Sequence, residues 1–175
     1  MIQIRKNVFE TNSSSTHSIC ISKDKAVWSK RIDFHIGEYG WENDSVFDTA
    51  SYFYMAIREC PNSEENLNKL IKILDNNNVI WNFDSGDRYY QGYIDHGSEL
   101  QDFVKELLND EDKLCRFLCG DSVIYTGNDN DDSDGPKMCD VCDEFYHTWD
   151  ENWNMTEHVH PYHDENRYEY YYKGN

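Results

Sequence analysis

Between residues 47 and 118 apolar side chains return every three or four positions, a rhythm that only a helix gathers onto one face. Phe47, Ala50, Phe53, Ala56, Ile57 and Cys60 form one such stripe across residues 47–60. It stops at Pro61, whose ring disfavours helix in the residue before it. A second stripe follows a cap at Ser63 and carries Leu67, Leu70, Ile71 and Leu74. Glu64 and Glu65 sit in its first turn, where the helix dipole favours carboxylates, and Asn76, Asn77 and Asn78 end it. Ser98 caps a third, with Leu100, Phe103, Val104, Leu107 and Leu108 on its face. Asp110 caps a short fourth, with Leu114, Phe117 and Leu118.

Period-two patterns bracket these helices. Ile2 and Ile4 suggest a short strand, and residues 7–15 a polar connection. His17, Ile19 and Ile21 alternate with Ser18, Cys20 and Ser22 as in a half-buried strand, and residues 32–36 repeat the pattern with Ile32, Phe34 and Ile36 inward. Residues 37–45 read as loop, 79–83 as strand, 85–87 as turn, 123–126 as strand and 127–136 as polar loop. The tyrosines of 167–173 favour a last strand. Without strict βαβ alternation the pattern predicts an α+β fold: a small antiparallel or mixed sheet packed with three to four helices, plus an acidic, aromatic-rich C-terminal segment. The division expected is a domain over 1–137 and a segment over 138–175, packed on that domain or extended from it. A chain of 175 residues can bury one core.

Charge is spread unevenly. Residues 120–175 carry 14 acidic and 3 basic side chains, so this third supplies −11 of the net −18. Aromatics are interleaved with the acids there, and aromatic anchors beside carboxylates suit a docking surface for a cationic partner. The plain alternative is a solvated face that maintains solubility. The balance argues against direct contact with nucleic acid. No apolar run approaches the roughly 20 residues of a membrane helix, and no export signal opens the chain, so a cytoplasmic location is expected.

Three constellations are candidates for chemistry. Cys115 and Cys119 lie one helical turn apart, and Cys139 and Cys142 form a Cys-x2-Cys hook. Four such thiolates would hold a structural zinc, whereas Cys115 and Cys119 would otherwise pack as small core residues. Asn130, Asp132, Asp134 and Gly135 match the first half of a calcium loop. Val141 stands where the closing bidentate Glu belongs, which argues against an EF-hand. Ser15 and its neighbouring hydroxyls adjoin His17, which Glu10, Asp95 or Asp129 would orient, and His96 offers a second acid–base group. The competing reading makes His17 a hydrogen-bonded core imidazole.

The run from Arg5 to Ser18 (RKNVFETNSSSTHS) resembles the opening of a family of small proteins found in phages and low-GC bacteria. Tyr93-Ile94-Asp95-His96 and Thr126-Gly127-Asn128-Asp129 are similar to later signatures of that family, so the resemblance spans roughly residues 1–130. It implies an intracellular, phage-associated accessory protein and transfers no catalytic role. Charge and context together lead to an acidic protein that inhibits or modulates a host protein with a basic nucleic-acid-binding surface, an anti-defence or anti-CRISPR-like mimic of nucleic acid. Its contact residues would be Asp129, Asp131, Asp132, Asp134, Asp143, Glu144, Trp149, Asp150, Glu151 and Trp153. The alternative is an enzyme acting on a nucleotide or other phosphate-bearing substrate through His17, Asp95, His96 and Asp129.

Overall fold

The computed structural model describes residues 15–40, 44–86, 91–95, 97–128, 147–149, 155–157 and 166–173. Their order is β1 (Ser15–Ser22), β2 (Arg31–Phe34), β3 (Glu38–Tyr39), β4 (Asp44–Val46), α1 (Thr49–Glu59), α2 (Ser63–Asn76), β5 (Ile80–Phe83) and β6 (Tyr93–Ile94). A 3-10 turn (Gly97–Leu100) then leads into α3 (Gln101–Asn109), α4 (Glu111–Cys119), β7 (Val123–Asn128), β8 (His147–Trp149), β9 (Met155–Glu157) and β10 (Tyr168–Lys173). The architecture is α+β. β10, β1, β7 and β4 form one sheet in that spatial order, and β2–β5, β3–β6 and β8–β9 are separate pairs.

β1 runs antiparallel to both of its neighbours, β7 and β10. On one face Ile19, Ile21, Ile124 and Val46 meet the helices in the main core. The other face is buried too, with Cys20, Val123, Tyr125 and Tyr168 in a second cluster. A half-buried β1 was the expectation; Ser18 and Ser22 instead lie buried on this second face. Ser22 is satisfied there, its N–H donating to Ser122 Oγ at 3.0 Å.

α1 departs most from its sequence pattern. Asp48 caps it by accepting the Ser51 N–H at 3.1 Å, so the helix starts at Thr49. Phe47, assigned to the stripe, lies outside it and is 65% exposed. Every residue from 49 to 57 is buried, because β2, β6 and the other helices pack against this helix and Tyr52 reaches His17 of β1. Its polar groups find partners: Thr49 Oγ1 donates to Phe117 O at 2.6 Å, Ser51 Oγ accepts the His35 N–H at 2.8 Å, and Tyr54 OH donates to Asp84 O at 2.8 Å.

The remaining helices follow the sequence more closely. Ser63 is the first residue of α2 rather than its cap, a place taken by Asn62. Asn77 and Asn78 close α2, Asn78 with φ 56. α3 buries Phe103, Val104, Leu107 and Leu108, with Leu100 buried ahead of it. Its approach through a 3-10 turn displaces the cap expected at Ser98. Asp110 caps α4 by accepting the Lys113 N–H at 3.0 Å.

Residues 37–45, expected to be loop, contain β3 and the start of β4, and β6 was not anticipated either. These strands of two or three residues exist through partners remote in sequence, β6 for β3 and β7 for β4. β7 extends through Gly127 and Asn128, placed in a loop by sequence. The tyrosine-rich strand at the C-terminal end is real: among the described residues, β10 is an edge of the main sheet. The expected strand at Ile2 and Ile4 lies outside the described residues. Among the described residues, no helix is long and apolar enough to cross a membrane.

Candidate functional site

β1 carries His17 on its helix-facing side, in register with Thr126 of β7. The imidazole is fully buried. Tyr52, from the first turn of α1, places its hydroxyl 2.8 Å from His17 Nδ1. Burial first, and then the nearby Tyr39 and Tyr171, push the Tyr52 phenol well above its ordinary pKa. A neutral hydroxyl therefore faces the imidazole in a medium where an unmet partner would be costly. The Tyr39 ring packs edge-on against Tyr52, with centroids 5.3 Å apart.

Gly40 brings a third segment to the same place. It has φ +100, and a Cβ there would lie 2.7 Å from His17 Nε2 and 3.2 Å from Asp95 Cβ. Only glycine accepts both the backbone angle and the contact. Asp95 is drawn in by the β3–β6 pairing, its N–H donating to Tyr39 O at 2.9 Å. His17 and Asp95, distant in sequence, thus meet across Gly40. Ser15, at the start of β1, pairs with Asn128 at the end of β7, so Asp129 follows directly from this end of the sheet. Asp129 itself and His96 lie outside the described residues.

Tyr52, Tyr39 and Gly40 were not singled out from the sequence. Tyr52 lies off the apolar stripe of α1, and a helix buried all round gives no periodic sign of which polar residue will find a partner.

β1 ends in a different chemistry. Glu169 of β10 accepts from Lys113 Nζ at 2.7 Å through one carboxylate oxygen and faces Arg116 at 3.5 Å through the other. Lys113 also reaches Glu106 at 2.7 Å. Arg116 pairs with Asp112 at 3.2 Å and donates to Ser22 O at 2.7 Å. The hydrogen bond from Lys113 is the largest influence holding the Glu169 carboxyl below the usual range, and it prevails over partial burial. Tyr168 OH donates to Asp121 Oδ2 at 2.8 Å beside this cluster.

Of the expected zinc ligands, Cys115 and Cys119 are described, both with free thiols. Burial, and secondarily Cys119, raise the Cys115 thiol to about 11. Cys119 Sγ accepts the Ser29 N–H at 3.5 Å. Cys119 packs against the main core, and Cys115 is buried. Cys139 and Cys142 lie outside the described residues, among which no group of three or more His, Cys, Asp or Glu is placed to hold a metal. The half-match to a calcium loop also lies outside them, as do Asp129, Asp131, Asp132, Asp134, Asp143, Glu144, Asp150, Glu151 and Trp153. Trp149 is the last residue of β8.

Two concavities are lined by described residues away from β1. A cavity of about 270 Å³ lies among Cys60, Asn62, Asn66, Gln101, Asp102 and Lys105. An open cleft of about 740 Å³ runs along α2 past Glu64, Glu65, Asn68, Lys69 and Lys72. Neither includes His17 or Asp95. Comparison with protein-family models, with curated proteins and with solved structures returns no match.

Proposed function

We propose that this chain is an acidic binding protein whose segment between β7 and β10 docks on the basic, nucleic-acid-binding surface of a host protein and modulates or blocks it. One observation carries this reading: the acid-rich stretch starts where β7 ends and returns as β10, and both strands pair with β1. Carboxylates and aromatics strung between two strands of one sheet can be displayed as a surface, and a net charge of −18 steers them toward cations. The phage context implied by the N-terminal resemblance makes an anti-defence role, by mimicry of nucleic acid, the most concrete form of the proposal. Complete burial of His17 supports docking over catalysis, since a catalytic group must reach its substrate.

The test is capture of a nucleic-acid-binding host protein at low salt, followed by release with competing nucleic acid or with added salt, which shortens the screening length from about 10 Å at 0.1 M to about 3 Å at 1 M. Replacing the Asp and Glu residues of 129–165 by Asn and Gln is expected to abolish capture. Capture that survives this neutralisation defeats the reading. A zinc ion on Cys115, Cys119, Cys139 and Cys142 would pin the acidic segment to α4. Metal analysis of protein purified without a His-tag tests that part, and absence of stoichiometric zinc removes it.

A second reading is favoured by the meeting of His17 and Asp95 across Gly40, at the end of the sheet that leads into Asp129. In this reading the corner serves acid–base chemistry on a nucleotide or other phosphate-bearing substrate, with His96 as a further group. It predicts turnover that His17→Gln removes while the protein stays folded. Failure to convert any of a panel of nucleotides and phosphate esters ends it.

A further inference from the structure

The most basic stretch of this acidic chain lies between β1 and β2. Residues 23–31 carry Lys23, Lys25, Lys30 and Arg31 against a single acid, Asp24, and no other nine-residue stretch is as basic. All four basic residues are exposed. The acids at hand are already taken. Both carboxylate oxygens of Asp33 accept from Arg31, at 2.6 and 2.8 Å, and Asp24 faces Arg167 at 3.8 Å. Among the described residues Lys25 and Lys30 have no acidic partner, although the chain holds 34 acids to 16 bases.

The backbone of this stretch is pinned. Lys23 N–H donates to Arg167 O at 2.7 Å, Asp24 N–H to Ser22 Oγ at 3.2 Å and Ser29 N–H to Cys119 Sγ at 3.5 Å. Lys30 O accepts the Ile80 N–H at 2.9 Å, and Trp28 packs against the main core. A surface already held in place loses little conformational freedom when it binds. Apolar side chains border the charges. Val27 is 79% exposed, and Ile80, opposite Arg31 in the β2–β5 pair, is 64% exposed. Lysines interleaved with branched apolar side chains complement a segment that alternates carboxylates with apolar groups.

Net charge selects among anionic partners. A nucleic acid or an anionic membrane spreads like charge over a wide area, so a molecule of net charge −18 is repelled wherever the two come within a Debye length. A short acidic peptide reaches the basic stretch alone. The stretch also offers no exposed ring for base stacking, since its one aromatic, Trp28, is half-buried against the core.

We propose that residues 25–31 and Ile80 form a docking surface for an acidic, amphipathic peptide segment of a partner protein, with carboxylates on Lys25 and Lys30 and apolar side chains on Val27 and Ile80. This surface is independent of the docking reading above.

The experiment measures, by fluorescence anisotropy at low salt, binding of a labelled peptide of alternating Glu and Val to the full chain. Lys25→Glu with Lys30→Glu is expected to weaken binding about tenfold, and Val27→Ser about threefold. Lys69→Glu with Lys72→Glu changes the net charge equally, on α2, and should weaken it less than about twofold. Oligo-glutamate of the same length should bind more weakly than the mixed peptide, because Val27 and Ile80 then meet no apolar group. Lys25→Gln with Lys30→Gln serves if charge reversal disturbs the fold. Absence of binding to wild type overturns the proposal. So does equal weakening by the two lysine pairs, which would assign the attraction to net charge. Tighter binding of phosphatidylserine vesicles or of a single-stranded oligonucleotide through Lys25 and Lys30 overturns it in favour of a lipid or nucleic-acid occupant.

Discussion

β1 begins in neutral chemistry and ends in charged chemistry, and the two ends hold their surroundings together in different ways. At His17 an imidazole, a phenol and a side-chain-free glycine are sealed inside, where a buried polar group that loses its partner is costly. At Ser22 two cations and a carboxylate meet at the rim, where Glu169 remains 35% exposed and solvent screens much of the attraction. Substitutions at the first end should therefore act through shape and lost partners, and those at the second through charge.

The harshest test of this contrast is Tyr52→Ala. It empties a fully buried ring position and strips His17 Nδ1 of its partner, and it should cost about 3–5 kcal/mol in denaturant unfolding. Tyr52→Phe isolates the hydroxyl and should cost about 1–3 kcal/mol; a value near zero would mean that the hydrogen bond does not hold this end. Gly40→Ala should lose about 1–3 kcal/mol from backbone strain at φ +100, before any displacement of His17 is counted. A neutral outcome there would show that the loop can move away from the imidazole.

pH sharpens the comparison, because the two ends fail in opposite directions. Glu169 has a lowered pKa, so its contribution is present above the ordinary glutamate range and lost as pH falls through the lowered value. The gap in thermal midpoint between wild type and Glu169→Gln should close below about pH 4. A gap that persists in acid would assign the effect to packing. Tyr52 has a raised pKa, so its contribution is present below about pH 10 and lost as pH climbs toward the raised value. Wild type should therefore lose stability in alkali faster than Tyr52→Phe.

The smallest effect lies at Cys115 on α4. Its thiol is buried and raised to about 11, so alkylation of the native protein near about pH 8 should be far slower than after unfolding. Peptide mass spectrometry after timed exposure to iodoacetamide reads this directly. Equal rates in both states would remove Cys115 from the core.

Much of this molecule was legible along the chain. α3 and α4 were, because their apolar faces repeat within a single turn and Asp110 sits where a cap must. So was β10, from the β-favouring tyrosines of its last residues. His17 and Asp95 were both candidates by residue type. Their meeting was not legible, since it needs the two-residue pairing of β3 with β6 and the left-handed backbone at Gly40. Nor was the role of Glu169, one carboxylate among many until β10 lay beside α4.

What this sequence determined alone was whatever its neighbouring residues can settle among themselves: helical stripes, caps, turn residues and the place where charge accumulates. Only the tertiary structure decided that α1 is buried on every side, that β1 has two buried faces, and that β10 lies beside β1. The reason is physical. A stripe or a cap draws its energy from contacts within a few residues, whereas a two-residue strand or a buried imidazole draws it from partners that folding alone brings near.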